Sequence, residues 1–279
     1  MPELPEVETV RQTLLEFLPG LTVTQVTINL PRIIKYPSPQ QFAQEIVGLT
    51  FCDIERRGKY LKFILSAGKT LVIHLRMTGQ LRYSTSDAPL PRHTHVIFEL
   101  SNGWQLRYTD IRQFGTMYLA SHQEIAQIAG MDRLGWEPLS DFPLPEFAAL
   151  LEKRKTNIKS VLLNQQIIAG IGNIYADEAL FQAGIHPARA ANSLTSDEVE
   201  SLHHAVRQVL QAGVKMRGTS FSDYVDGLGR SGGFQHQLAV YGRKGESCPR
   251  CGCPIIREKI AGRGTHYCPL CQPTVDNVN

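Results

Sequence analysis

Two Cys-x-x-Cys pairs, Cys248-Pro-Arg-Cys251 and Cys268-Pro-Leu-Cys271, stand sixteen residues apart near the end of the chain. No other feature limits the fold as tightly. Thiolates at this spacing wrap one tetrahedral zinc ion, with the intervening segment as a hairpin. Two disulfides or a redox pair are the competing readings. The absence of a visible secretory signal argues against structural disulfides, and a redox pair needs no second one beside it. One structural zinc held by Cys248, Cys251, Cys268 and Cys271 is therefore expected. A closed site of four cysteines has no open position for a substrate, so the metal folds the module and performs no chemistry. Cys253, two residues past a ligand, could compete for the metal, and Cys52, amid apolar residues, is expected to be packed.

The remaining chain falls into stretches of different period. With 279 residues, two or three modules are expected. From about residue 21 to 119 the pattern is short and β-like: KYLKFIL, TLVIHLRM, HVIFEL and WQLRYTD are rich in β-branched and aromatic residues and are separated by Gly-, Ser- or Pro-containing turns. AGK at 67–69 and SNG at 101–103 sit where hairpin turns belong. Successive short strands suggest an antiparallel sandwich or barrel. From Pro143 to Arg217 the pattern turns helical, in FAALLEK, IKSVLLNQ, YADEALFQAG and SDEVESLHHAVRQVLQAGV. The last places Ser196 as N-cap and Val199, Leu202, Val206, Val209 and Leu210 on one face. The glycine-rich stretch 217–234 that follows reads as a mobile loop, long enough to be functional or disordered.

The chain's opening, MPELPEVETV, predicts a helix with Pro5 at its first position and Val7, Val10, Leu14 and Phe17 on one face, stopped by Pro19-Gly20. Pro2 and Glu3 ahead of it have no structural reason to be there, beyond those of an ordinary chain end. No apolar run approaches the length of a membrane span. The net charge of +3 is only mildly basic, but the basic residues cluster. ERRGKY, EKRKTNIK and the last forty residues carry local clusters interleaved with Tyr60, Tyr241 and Tyr267, which shifts the expectation toward nucleic acid. Two features are ready for phosphate. Gly262 and Gly264 flank Arg263 at a tight turn, and AGIGNIYADEAL leads two glycines into a helix near Asn173, an anion site. Lys155 and Lys159, four apart, are expected on one helical face beside it.

MPELPEVET, RRGKYL, HLRMTG, DIRQFG, GIGNIYADE and AGRGTHYCPLCQ, in that order, resemble the bacterial formamidopyrimidine-DNA glycosylases, which repair 8-oxoguanine. The resemblance runs from Pro2 to Gln272. It implies a multidomain α+β enzyme: an N-terminal antiparallel β-sandwich with a catalytic N-terminal helix (1–134), a helix–two-turn–helix domain (135–237) with a lesion-recognition loop at 217–234, and a C-terminal zinc ribbon (238–273). It also gives Pro2 a role. Loss of Met1 would leave a secondary α-amine, partly neutral near pH 8, able to attack the anomeric carbon and expel the base. The resulting iminium cannot shed its charge by losing an N–H, so it acts as an electron sink for β- and then δ-elimination. Glu3 would protonate the sugar ring oxygen, with Glu6 in a supporting place.

By the same resemblance, Lys59 contacts phosphate near the lesion and assists catalysis, and Arg263 grips phosphates and takes part in δ-elimination. Met77, Arg112 and Phe114 match the trio that fills the gap left by a flipped nucleotide. His93 and Arg154 match DNA-contacting positions, as do His74 and Asn173 for phosphate. Arg154 stands where the family often has lysine, an exchange a phosphate tolerates, and Cys253 departs from the usual zinc module. Ser220, Phe221 and Tyr224 are candidates to face the extruded purine. His93 and His95 would share a strand face but lack further metal ligands. The expected partner is double-stranded DNA with oxidised purines or abasic sites, bound by a monomer in the bacterial cytoplasm or nucleoid, with no membrane. Two alternatives stay open. An endonuclease VIII-like glycosylase would share Pro2, Glu3 and zinc but prefer oxidised pyrimidines; a non-catalytic DNA-binding protein would give Pro2 and Glu3 no role.

Overall fold

The computed structural model describes residues 1–221 and 223–274. Two compact units emerge, one of Met1–Arg133 with Val214–Gln235, the other of Leu134–Gly213 with the chain from His236 on.

The first unit opens with helix α1 (Leu4–Leu15), which starts one residue earlier than Pro5 suggests because Glu3 caps it. Glu3 and Glu6 form a reciprocal capping box, with the Glu3 N–H donating to Glu6 Oε2 at 2.8 Å. Val7, Val10 and Leu14 are buried as their spacing requires, but Phe17 is 37% exposed. The helix has ended at Leu15, so its period no longer applies, and Leu18 turns inward instead.

Strands β1 (Val23–Ile28), β2 (Ile34–Tyr36), β3 (Phe51–Arg57), β4 (Tyr60–Leu65), β5 (Lys69–His74), β6 (Gly79–Thr85), β7 (Thr94–Leu100), β8 (Trp104–Asp110) and β9 (Thr116–Ser121) follow, with α2 (Pro39–Ile46) between β2 and β3 and the short α3 (Ile125–Ile128) after β9. They form a four-stranded sheet, β1-β7-β8-β6, and a five-stranded sheet, β2-β9-β5-β4-β3. All pairs are antiparallel except β2 with β9, which is parallel. Inward residues of both sheets, among them Leu61, Phe63, Leu71, Phe98, Leu106 and Tyr108, share one core with Val7, Val10 and Leu14 of α1. The alternation in β4, where Leu61, Phe63 and Leu65 are buried, follows the two-residue period of a strand with one face on a core.

Cys52 is a correction to the expected packing: it is exposed. A register shift between Phe51 and Asp53 puts a bulge in β3, and both Cys52 and Asp53 face out while Phe51 keeps the core position.

The second unit contains α4 (Leu144–Glu152), α5 (Ile158–Leu163), α6 (Asn173–Ala183) and most of α7 (Ser196–Lys215), then the antiparallel hairpin β10 (Ile256–Ile260) and β11 (Arg263–Tyr267). Val199, Leu202, Val206, Val209 and Leu210 are buried along α7. Its cap is Thr195 and not Ser196: the Glu198 N–H donates to Thr195 Oγ1 at 3.3 Å, and Glu198 Oε2 accepts the Thr195 N–H at 2.8 Å. Ser196 is instead the first helical residue, because the threonine before it finds a glutamate partner at the right spacing.

Lys155 and Lys159 do not share a helical face. Lys155 lies exposed in the connection before α5, while Lys159 is fully buried within it. Asp177 supplies the reason, a carboxylate 2.6 Å from the ammonium. Among the described residues no helix is long and apolar enough to cross a membrane.

Candidate functional site

The cysteine cluster is the most local of the functional features. The Sγ atoms of Cys248, Cys251, Cys268 and Cys271 all lie within 4.8 Å of one another. The pairs Cys248–Cys271 and Cys251–Cys268 are 3.8 and 3.4 Å apart. A tetrahedron with Zn–S bonds of about 2.3 Å needs sulfur separations of about 3.8 Å, so the set fits one zinc ion. Backbone N–H groups of Arg250 and Cys271 point at Cys248 Sγ and Cys268 Sγ, each at 3.4 Å, as suits thiolate acceptors. Cys253 is not part of the cluster. Its carbonyl accepts the Cys248 N–H at 2.9 Å, so it serves as backbone in the turn that shapes the site. Four soft donors and no open position make this a structural zinc site.

At the N-terminus, Met1 is 53% exposed while Pro2 is buried and Glu3 is 3% exposed. Glu6 is the connecting residue: Oε2 accepts the Glu3 N–H, and Oε1 accepts the Thr219 N–H at 2.7 Å. One carboxylate thus joins the first turn of α1 to the start of the 217–234 loop. A glutamate three residues after an N-cap is the sequence signal for the first half of that arrangement; nothing local signals the second.

Lys59 is 7% exposed, in the two-residue turn between β3 and β4, so it is no solvated edge lysine. Gly58 beside it takes φ +55°, which the tight turn requires. Arg56 donates to the Gly58 carbonyl at 3.1 Å and to Glu8 Oε2 at 3.0 Å, tying this turn to α1. Burial pushes the Glu8 carboxyl up, but Arg11 and Arg56 outweigh it and hold the group below its usual value.

His74 is 6% exposed. Burial above all, then the nearby Arg76 and Lys59 charges, lower its pKa to about 3. It is a neutral imidazole whose Nδ1 accepts the Arg76 N–H at 2.9 Å. What it can offer a phosphate is an N–H, not a charge.

Met77 and Phe114 are 39% and 51% exposed, large apolar side chains left out of the core. Arg112 is exposed as well, its guanidinium 5.0 Å from the centre of the Phe114 ring. Met77 sits in the β5–β6 turn and the other two in the β8–β9 loop. His93 is exposed and has φ +64° just before β7, while His95 lies within the strand, buried, with Nε2 2.9 Å from the Asp110 carbonyl oxygen. The strand begins after His93, so only His95 belongs to it, although the two rings still lie side by side with centroids 6.3 Å apart.

In the second unit, Gly172 caps α6, and Asn173 opens it, its amide donating to the Gly264 carbonyl at 2.8 Å. Arg263 beside Gly264 begins β11 and is exposed after a two-residue turn in which Ala261 and Gly262 both take positive φ. The helix N-terminus and the arginine turn are thus joined by one hydrogen bond, and together they offer N–H donors and a cation to an anion. Arg154 is exposed just after α4.

The 217–234 loop belongs to the first unit, and Ser222 lies outside the described residues. Ser220 Oγ accepts the Gly232 N–H at 2.9 Å and donates to the Tyr224 carbonyl at 2.8 Å. The Tyr224 hydroxyl donates to the carbonyls of Glu6 and Arg217, both at 3.2 Å. Phe221 is 57% exposed. Asp226, which the sequence did not single out, is 1% exposed and accepts the Leu228 and Arg230 N–H groups at 2.8 and 2.9 Å, as well as the side chains of Arg217 and Arg230.

Three family models match the chain in order: the formamidopyrimidine-DNA glycosylase N-terminal domain over residues 1–117, the H2TH domain of the same enzymes over 134–225, and a zinc finger found in FPG and IleRS over 245–274. The chain belongs to the formamidopyrimidine-DNA glycosylase family. Formamidopyrimidine-DNA glycosylases of Desulforamulus reducens and Geobacillus kaustophilus are 52% and 47% identical to it, over 98% of this chain and 99% and 100% of theirs. The Lactococcus lactis enzyme in complex with a DNA containing an abasic site superposes with a TM-score of 0.91 at 40% identity, covering 98% of this chain and 100% of that one. The same enzyme with an N7-benzyl-Fapy-dG DNA gives 0.92 at the same identity and coverage. As a formamidopyrimidine-DNA glycosylase, the protein is a base-excision repair enzyme of a family whose activity is that of a DNA glycosylase and abasic-site lyase. The α+β architecture expected from the resemblance, with its zinc module, is the one observed.

Proposed function

We propose that the protein excises oxidised purines, 8-oxoguanine and formamidopyrimidines, from duplex DNA and then cuts the strand through a Schiff base on Pro2. The arrangement at the N-terminus carries this reading: an exposed Met1, a buried Pro2 and a buried Glu3 that caps α1. Loss of Met1 turns the Pro2 nitrogen into a secondary amine held at a fixed helix start. In its neutral form it attacks C1′ of the damaged nucleotide, the base departs with the bonding electrons, and the proton released from the amine passes to the departing base. Glu3 donates a proton to the ring oxygen as the sugar opens, giving the iminium. Removal of a C2′ proton then expels the 3′ phosphate, and a second elimination expels the 5′ phosphate. Buried Lys59 serves at the phosphate near the lesion, and Arg263, with Asn173 beside it, grips phosphate for the second elimination. His74, His93 and Arg154 contact the DNA strand.

Met77, Arg112 and Phe114 form the wedge. Apolar side chains that are exposed at turn tips stand in for the stacking lost when a nucleotide leaves the duplex, and the guanidinium hydrogen-bonds the orphaned cytosine. Ser220, Phe221 and Tyr224 lie in the loop that closes over the extruded purine. Glu6 supports this assignment, since it bonds both the Glu3 and Thr219 backbones.

Borohydride trapping on a duplex with one 8-oxoguanine opposite cytosine tests the proposal. The expected product is a reduced DNA adduct on Pro2 with Met1 absent, identified by peptide mass spectrometry. The Lactococcus lactis enzyme has also been crystallised with an oxidised-pyrimidine DNA, so a matched oxidised-pyrimidine duplex belongs in the same experiment. Trapping on that duplex alone would overturn the purine assignment, and an adduct on any other residue would overturn Pro2.

A further inference from the structure

We infer that Asp110, acting through the Thr78 hydroxyl, is a positioning residue that locks the two wedge loops into one body. The inference rests on the wedge reading of Met77, Arg112 and Phe114 above. Asp110 ends β8 and has no exposed surface. Its Oδ1 accepts the Thr78 hydroxyl at 2.5 Å and the Arg112 N–H at 3.2 Å. Its Oδ2 accepts the Gly115 N–H at 2.8 Å and the Tyr108 hydroxyl at 3.1 Å. The Thr78 oxygen itself accepts the Arg112 N–H at 2.9 Å. One carboxylate therefore holds the residue after Met77, the backbone of Arg112, and the residue after Phe114.

A buried carboxylate is costly unless its lone pairs are met, and here four donors meet them. The packing around it explains two glycines. A Cβ at Gly115 would fall 1.6 Å from Tyr108 Oη, and one at Gly79 would fall 2.6 Å from the same atom. Gly79 follows Thr78 and Gly115 follows Phe114, so both wedge loops end in a glycine that leaves room for the Tyr108 hydroxyl, Gly79 also for the Leu75 carbonyl oxygen, which a Cβ there would approach to 2.4 Å. Neither glycine needs a left-handed φ; the requirement is space.

This arrangement decides how the wedge can yield. Unstacking a base pair step has to be offset by side chains that keep their place in the gap. Met77 on a lone turn could fold back under that load. Tied through Thr78 to the carboxylate that also holds Arg112 and Gly115, it moves only if the other loop moves with it. The device acts on nucleotide extrusion and not on bond breaking, and this separates it from a general structural role.

Single-turnover base release provides the test, measured on 8-oxoguanine in a fully paired duplex and on the same lesion flanked by mismatches that already unstack it. Thr78→Val, which keeps the shape and removes the hydroxyl, is expected to slow release from the paired duplex by about tenfold and from the mismatched one by less than about threefold. Thr78→Ser restores the hydroxyl and is expected within about twofold of wild type on both. Asp110→Asn, verified as folded by its circular dichroism and unfolding transition, is expected to show the same split between substrates. Equal slowing on both duplexes, or a folded Asp110→Asn without the split, overturns the inference. So does wild-type speed in Thr78→Val while Met77→Ala is slow. Met77→Ala at wild-type speed on both duplexes would instead remove the wedge reading underneath.

Discussion

Lys159 Nζ lies 2.6 Å from Asp177 Oδ1, and neither side chain is exposed at all. Lys159 belongs to α5 and Asp177 to α6, and both also hold the zinc hairpin. Lys159 donates to Thr265 Oγ1 at 2.8 Å, and Asp177 Oδ2 accepts the His266 N–H at 2.9 Å. The pair therefore fixes β11, which begins at Arg263, against α5 and against α6, the helix that Asn173 opens.

Removing one member of that pair leaves an uncompensated buried charge. Asp177→Leu is expected to cost about 3–5 kcal/mol in urea unfolding, and Lys159→Met a similar amount, whereas the double substitution recovers much of the loss. A double variant as unstable as the sum of the singles would show that the pair's worth is not electrostatic.

Glu3→Gln keeps the shape of the helix cap and removes the transferable proton. Base release is expected to fall by about 10²- to 10⁴-fold, while affinity for lesion-containing duplex, read by gel shift with a non-cleavable abasic analogue, stays near wild type. A parallel loss of binding would reassign Glu3 from proton donor to structural cap.

Cys248→Ser or Cys271→Ser breaks the four-cysteine set. Zinc content by mass spectrometry is expected to fall, and affinity to weaken for damaged and undamaged duplex alike, because the hairpin proposed to grip phosphate loses its fold. Full zinc with full affinity would contradict a structural metal.

His74 makes stability depend on pH in a stated direction. Its native pKa of about 3 lies below the ordinary 6.5, so the unfolded chain takes up the proton first as pH falls. The contribution is whole above the ordinary value and drains between the two, at up to about 1.4 kcal/mol per pH unit. Urea unfolding at about pH 7.5 and about pH 5.5 is expected to show a larger drop for wild type than for His74→Gln. Equal drops would place the proton uptake elsewhere.

Asp226 ties the 217–234 loop to itself. Burial raises its carboxyl, but the Arg230 and Leu228 N–H groups and the Arg217 and Arg230 side chains together hold it below its usual value. The ties therefore persist above the ordinary carboxylate range and are lost only as pH falls through the depressed value. At neutral pH, Asp226→Asn is expected to quicken amide exchange across the loop by about tenfold or more, with no change in the zinc module. Unchanged exchange would show that the Ser220 and Tyr224 bonds suffice.

Some of this protein is written in its local sequence. The zinc ligands are legible because a Cys-x-x-Cys pair places two sulfurs on one turn, whatever surrounds it. Strands β4, β7 and β8 are legible through their β-branched and aromatic runs between turn residues, and α7 through its three- and four-residue spacing. Pro2 could be singled out because nothing in helix formation asks for it, whereas Glu3, which also reads as having no structural place, proves to cap α1 through its box with Glu6. The tertiary structure decided the rest wherever a side chain answers to a partner far along the chain. Lys159 reads as a surface cation until Asp177 is folded against it, and Cys52 as a core residue until a bulge turns it outward. Glu6 meets Thr219 across 213 residues and Thr78 meets Asp110 across 32. Periodicity and ligand spacing are set by bond geometry within a few residues, so the sequence alone determines them. Which buried carboxylate receives which donors depends on the register of two sheets and the course of the loops between them, and only the folded chain fixes that.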